Sequence, residues 1–231
     1  MNDRGLKHLS EDATGFGRAE WNTLRDSVIR PREVLEAYMT GGPDGGGAYA
    51  RPLKLYLALC GILMLQLFFM GGTALFLDTL SPETLDPLIK QSGKSRDAFL
   101  AHADNWMSLF LVPMNALLYA IFSAPLLRWW DSENLGWRRA FRATFHYLNV
   151  WTIPIVPIGF LAYLPSTAVW FSLLMMVIGF VAFMRAGRGR WYTSTMGGVV
   201  KAVVITLASF LASTLASVPL MAIGLAGGVL G

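Results

Sequence analysis

The stretch FHYLNVWTIPIVPIGFLAYLPSTAVWFSLLMMVIGFVAFM, residues 145–184, is forty residues long and contains no Asp, Glu, Lys or Arg. One membrane crossing takes about 20 apolar residues, so this length amounts to two crossings. The break falls at Leu164-Pro165-Ser166-Thr167, where a proline and two hydroxyl residues interrupt the apolar run. The stretch therefore reads as a transmembrane hairpin with a short outer turn. Arginines flank it on both sides, with Arg138, Arg139 and Arg142 before it and Arg185, Arg188 and Arg190 after it.

The rest of the chain has the same character. Of its 231 residues, 54% are hydrophobic and 15% charged, against about 25% charged in soluble domains. Hydropathy marks three further spans, and the set of five is 53–77, 106–127, 145–164, 168–184 and 202–225. The predicted fold is all-α: a polytopic transmembrane bundle of five helices (51–231) preceded by a cytoplasmic amphipathic helical region and a Gly-rich linker (1–50). The formal charge of +4 does not imply nucleic acid, because the excess cations lie beside apolar runs, where the positive-inside rule places them. No apolar core of a cleavable signal occurs in the first fifty residues, so the first span is expected to act as its own insertion signal.

Charge sets the orientation. Eight Lys and Arg precede the first span (through Lys54), four follow the second and four follow the fourth. The loop between spans one and two carries three cations against five acids. This alternation predicts a multi-pass membrane protein with its N-terminus on the cytoplasmic side and its C-terminus on the opposite side.

In the N-terminal region, Trp21, Leu24 and Val28 form an apolar stripe on a helix ending near Ile29. That stripe either lies on the membrane surface or packs on the bundle. A second helix begins at Pro31, with Val34, Leu35, Tyr38 and Met39 on one face. The glycines at 41–47 read as a flexible linker. They lack the Lys-Ser/Thr ending of a phosphate-binding loop. Ser81-Pro82 and Ser95 are helix-start signals in the acidic loop. In span five, Ala208, Ala212 and Ala216 alternate with Ser209, Ser213 and Ser217 at the spacing that lets helices approach closely, a surface expected to meet a partner or another span.

Catalytic chemistry is hard to find. No acidic or basic residue lies deep in a span, which weighs against ion-coupled transport. His8, His102 and His146 are scattered, so a bis-histidine haem has only one membrane-level candidate. His102 and Asp104 are too few for a metal site. Cys60 stands alone and reads as a small buried hydrophobe. No cofactor is expected, and no enzyme.

Two polar patterns remain. His146 and Asn149 share one face of span three, close to Arg142. They form either a small anion or lipid-headgroup pocket or an interfacial packing contact. Gln66, Asn115, Ser172 and Ser213 lie twelve to fourteen residues from the arginine-rich ends of their spans. At that depth they either hydrogen-bond across the bundle or line a narrow polar path.

RPREVLEAY (30–38), YARPLKLYL (49–57), LVPMNA (111–116) and FRATFHY (141–147) together resemble an uncharacterised bacterial family of small five-span membrane proteins. That family has an arginine-proline helix and a proline-leucine-basic-aromatic lead-in to its first span. This chain departs from it by a Pro-Asp and extra glycines in the gap. The Arg-Pro-Arg-Glu helix before a five-span bundle is also similar to Yip-type membrane proteins, which act in trafficking. The resemblance implies architecture. The function expected is an accessory, scaffold or assembly protein that binds membrane lipids, other membrane subunits or itself; the alternative is a small-solute transporter or channel with a path near Gln66 and Asn115.

Overall fold

The computed structural model describes residues 17–77, 80–133, 136–164 and 166–231. His8 and Pro165, both named above, lie outside the described residues. Two short helices, α1 (Arg18–Ile29) and α2 (Pro31–Thr40), precede α3 (Pro52–Phe69). Then follow α4 (Ala74–Leu77), α5 (Pro82–Ser92), α6 (Arg96–Trp130), α7 (Trp137–Thr152), a 3₁₀ segment (Val156–Tyr163), α8 (Ala168–Gly187) and α9 (Thr195–Leu230). Helices α3, α6, α8 and α9 are each long and apolar enough to cross a membrane, and α7 with the 3₁₀ segment makes a fifth, bent candidate. The chain is an all-α bundle with the composition of a multi-pass membrane protein.

Helices α6 and α9 form the long antiparallel pair. At 35 and 36 residues and 1.5 Å per residue they run for about 52–54 Å, well beyond a hydrocarbon core of about 30 Å. Span two was expected to start at Trp106, but the helix starts at Arg96, capped by the Ser95 side chain accepting from Ala98 N. Hydropathy locates the apolar window, whereas nothing between 96 and 106 breaks a helix. Trp106 and Trp129 are both exposed on α6, about 35 Å apart along the axis, the spacing of two membrane interfaces.

The small residues of α9 face this partner helix. Ser209, Ala212 and Ala216 are buried, as are Ala116, Ala120 and Ala124 of α6. Ser123 and Ser209 hydroxyls lie 3.5 Å apart, and Tyr119 donates to Ser213 at 3.2 Å. Of the two readings of this stripe, a partner or another span, its buried residues show the second: they pack against α6 inside the chain. Leu207, Phe210, Leu211 and Val218 point outward instead.

Span three is not a straight helix. Pro154 and Pro157 lack the N–H groups that would continue α7, so α7 ends at Thr152 and the chain turns by 73° into the 3₁₀ segment. Helix α7 also begins at Trp137, earlier than the predicted 145, and so includes Arg138, Arg139 and Arg142. Its residues 143–151 are all buried, enclosed by α2, α3, α6 and α8. Trp151 joins α7 to α8: its Nε1 donates to Met175 O at 2.8 Å, and the indole lies over Gly179, where a Cβ would come within 2.8 Å of the ring.

The glycine linker is ordered. Gly46 N donates to Gly41 O, Gly47 N and Tyr49 N both donate to Asp44 O, and Gly42, Gly45, Gly46 and Gly47 hold positive φ angles. A run expected to be flexible is a closed turn, because glycine alone adopts these angles without strain.

Gly179→Leu is expected to destabilise the bundle by about 1–3 kcal/mol through overpacking, read as a lower unfolding midpoint in detergent. An unchanged midpoint would mean that Trp151 does not rest on α8.

Candidate functional site

The polar residues converge where α1, α2 and the linker dock on α7. His146, fully buried, donates from Nε2 to Pro31 O at 2.8 Å; a carbonyl can only accept, which places the proton on Nε2. One turn on, Asn149 donates to Pro52 O at 2.9 Å. Arg142 donates to Tyr38 O at 3.2 Å. The shared face of His146 and Asn149 is present, but the headgroup pocket is not. Both side chains lie under α2 and the start of α3 and grip backbone carbonyls, because α7 is covered there rather than exposed at the interface.

Helix α1 docks with its polar side inward. Thr23 accepts from Ala50 N at 2.8 Å and donates to Ala19 O. Lys54 donates to Glu20 at 2.7 Å, and Tyr49 donates to Asp26 at 3.3 Å. Hydrogen bonds from Arg25 first, and then Arg30, hold the Asp26 carboxyl below the usual aspartate range, against the opposing effect of its burial. Two of the three residues of the expected apolar stripe point the other way: Trp21 is 65% and Val28 42% exposed, and Ile29 beyond them is exposed as well. Leu24, the middle residue of that stripe, is half-buried against Ala50, Leu55 and Leu59, so the stripe is divided between the bundle and the outside.

At mid-bundle the four predicted residues separate. Gln66 donates to Val156 O at 2.7 Å, within the segment the prolines break, and Gly159 leaves room for it: a Cβ there would lie 2.6 Å from Gln66 Oε1. Ser172 bonds only along its own helix, to Ala168 O, and is exposed. Asn115 donates to Leu111 O of its own helix. It also lines, with Tyr56, Cys60, Tyr119 and Ser213, a cleft of about 250 Å³ between α3, α6 and α9. Asn115 and Ser213 are thus brought together, while Gln66 and Ser172 belong to other contacts. The expected cross-bundle bonding forms in part: Gln66 and Ser213 bond to other spans, whereas Asn115 and Ser172 bond along their own helices, because equal depth does not set which way a helix turns its side chains.

A second polar centre was not anticipated. The Arg190 side chain is 3% exposed. It donates from Nε to Asp131 at 2.6 Å, from Nη1 to Glu36 at 2.7 Å and from Nη2 to Glu133 at 2.8 Å. One guanidinium thereby ties α2, the loop after α6 and the loop after α8. Arg190 reads in the sequence as one more membrane-flanking cation. The clue was Asp131 and Glu133, the two acids in an otherwise cationic loop. A carboxylate buried at such a place needs a charged partner.

Arg190→Ala strands the buried Asp131 carboxylate and is expected to cost about 3–5 kcal/mol, whereas Glu133→Gln, at the exposed edge, should change stability by about 0–1 kcal/mol. Equal effects in detergent unfolding would refute the ranking. A depressed folded-state pKa stabilises docking above the unfolded value and loses that contribution as pH falls through the folded one. Protection of α1 amides against hydrogen exchange should therefore hold above the ordinary carboxylate range and weaken below it; constant protection factors into strong acid would show that Asp26 does not hold α1.

Compared with protein-family models, with curated proteins and with solved structures, the chain matches none of them.

Proposed function

We propose that the protein is an accessory, scaffold or assembly component of the bacterial cytoplasmic membrane that binds other membrane subunits or lipids and carries out no chemistry of its own. The observation that supports this reading most directly is where the polar side chains end. His146, Asn149, Arg142, Gln66, Arg185 and Lys201 all donate to backbone carbonyls. Donors spent on carbonyls of neighbouring segments join parts of the chain into one rigid body. They are not arranged around a point where a substrate atom could sit. A fixed platform made of α1, α2 and the linker on one end of a bundle suits a binding role.

The charge alternation supports a cytoplasmic N-terminus and a periplasmic C-terminus, which puts this platform on the cytoplasmic side. The resemblance to the five-span bacterial family, and more distantly to Yip-type proteins, fits the same architecture. The small-solute path keeps one specific support, the cleft that Asn115 and Ser213 line. Its test is solute flux in liposomes that is lost in Asn115→Leu.

Extraction in the mildest detergent followed by native mass spectrometry should show the chain with a stoichiometric membrane-protein partner or retained lipid. A bare monomer under those conditions would overturn the scaffold reading.

A further inference from the structure

Between α1, α7 and α8 lies a slot of about 230 Å³. Val150 of α7, Pro154 just beyond its end, and Val177 and Val181 of α8 form apolar walls. Its two polar lining residues are Ser27 and Arg185. Ser27 is fully buried, and its hydroxyl has no hydrogen-bond partner among the described residues. A buried hydroxyl without a partner costs about 1–3 kcal/mol, so a group that enters the slot and bonds to it is favoured. Arg185 is exposed and spends one N–H on Ile29 O at 2.9 Å. A guanidinium has five such donors in a planar fork suited to phosphate.

The slot thus has apolar walls along about 12 Å of α8, from Val177 to Arg185, and a cationic end. It opens on the flank of the bundle where Val177 and Val181 are exposed. Beside it, α1 turns Trp21, Val28 and Ile29 outward, the disposition of a helix lying at a membrane interface. Asp26, the acid next to Ser27, is neutralised by Arg25 and Arg30 and does not repel an anion. A protein segment would need its own backbone groups satisfied in such a slot, whereas an acyl chain carries none.

We propose that this slot binds one anionic phospholipid, with an acyl chain between α7 and α8, the phosphate on Arg185 and an ester oxygen accepting from the Ser27 hydroxyl. This rests on the membrane reading above and names the lipid class for it.

The test is native mass spectrometry of the full chain in mild detergent, titrated with phosphatidylglycerol or with phosphatidylcholine of the same acyl chains. The wild type should retain one phosphatidylglycerol per protein in preference to phosphatidylcholine. Arg185→Gln should lower that preference about tenfold, and Ser27→Ala should lower retention of both lipids. Val181→Trp, which fills the slot and leaves Arg185 in place, should abolish retention of both; it carries the test if Arg185→Gln fails to fold. Unfolding midpoints of the variants serve as the control. No headgroup preference in the wild type, retention unchanged in Val181→Trp, or displacement of the lipid by millimolar inorganic phosphate would each overturn the proposal. Protein partners appear in the same spectra, so loss of the lipid site with partners retained would leave the scaffold reading standing.

Discussion

Residues 143–151 of α7 are buried on every side, and His146 and Asn149 within them carry polar groups that water cannot reach. A buried donor left unmade costs about 1–3 kcal/mol, so these two side chains decide what can lie against α7. They select the carbonyls of Pro31 and Pro52, the first residues of α2 and α3. A carbonyl oxygen has two lone pairs, so it can serve its own helix and a second donor. Pro31 sets the start of α2 and Pro52 the start of α3, and α7 holds both starts at a spacing of one helical turn. The linker must then close the distance between α2 and α3 in a fixed way. Tyr38 donating to Ala50 O at 2.6 Å and the left-handed glycines before it accomplish that closure.

The same logic governs the bend. Pro154 and Pro157 end α7 inside an apolar environment, where an unpaired backbone group has no water to turn to. Gln66 from α3 supplies a donor to Val156 O, and the approach is possible because Gly159 has no side chain. A glutamine that could be taken for part of a conduction path is, in this arrangement, a prop under a broken helix. Its acceptor oxygen, like Nδ1 of His146 and Oδ1 of Asn149, has no hydrogen-bond partner among the described residues. At all three places the donor half is used and the acceptor half is not, which fits a chain whose prolines remove backbone donors while leaving every carbonyl in place.

Much of the architecture was legible before the structure. Apolar runs of span length identified the helical bundle, Pro31 and Ser81-Pro82 marked helix starts, and the i, i+3 spacing of His146 and Asn149 placed them on one face. What was not legible has physical causes. Hydropathy reports where a helix meets lipid rather than where it ends, so α6 and α9 came out longer than predicted. Equal depth carries no information about rotation about the helix axis, so Ser172 and Asn115 could not be sorted. Arg190 was hidden by context, because a cation beside a span has a ready explanation in topology. Its burial depends on Glu36, Asp131 and Glu133, which lie far from it in sequence.

Helix α1 shows why composition alone misleads at a membrane. In a soluble protein an amphipathic helix turns its apolar stripe inward, and Trp21, Leu24 and Val28 invite that reading. Here the polar side has the better partners within the chain: Ala50 N for Thr23, Lys54 for Glu20 and the Tyr49 hydroxyl for Asp26. Turning α1 over would break these bonds and leave Thr23 and Asp26 to seek water. The apolar side loses nothing by facing outward if the outside is lipid, since burial against acyl chains removes that surface from water as well as burial in a core does. Leu24 alone of the stripe still packs inward, on Ala50, Leu55 and Leu59, so the helix divides its apolar side between the bundle and the outside while its polar side fixes how it docks.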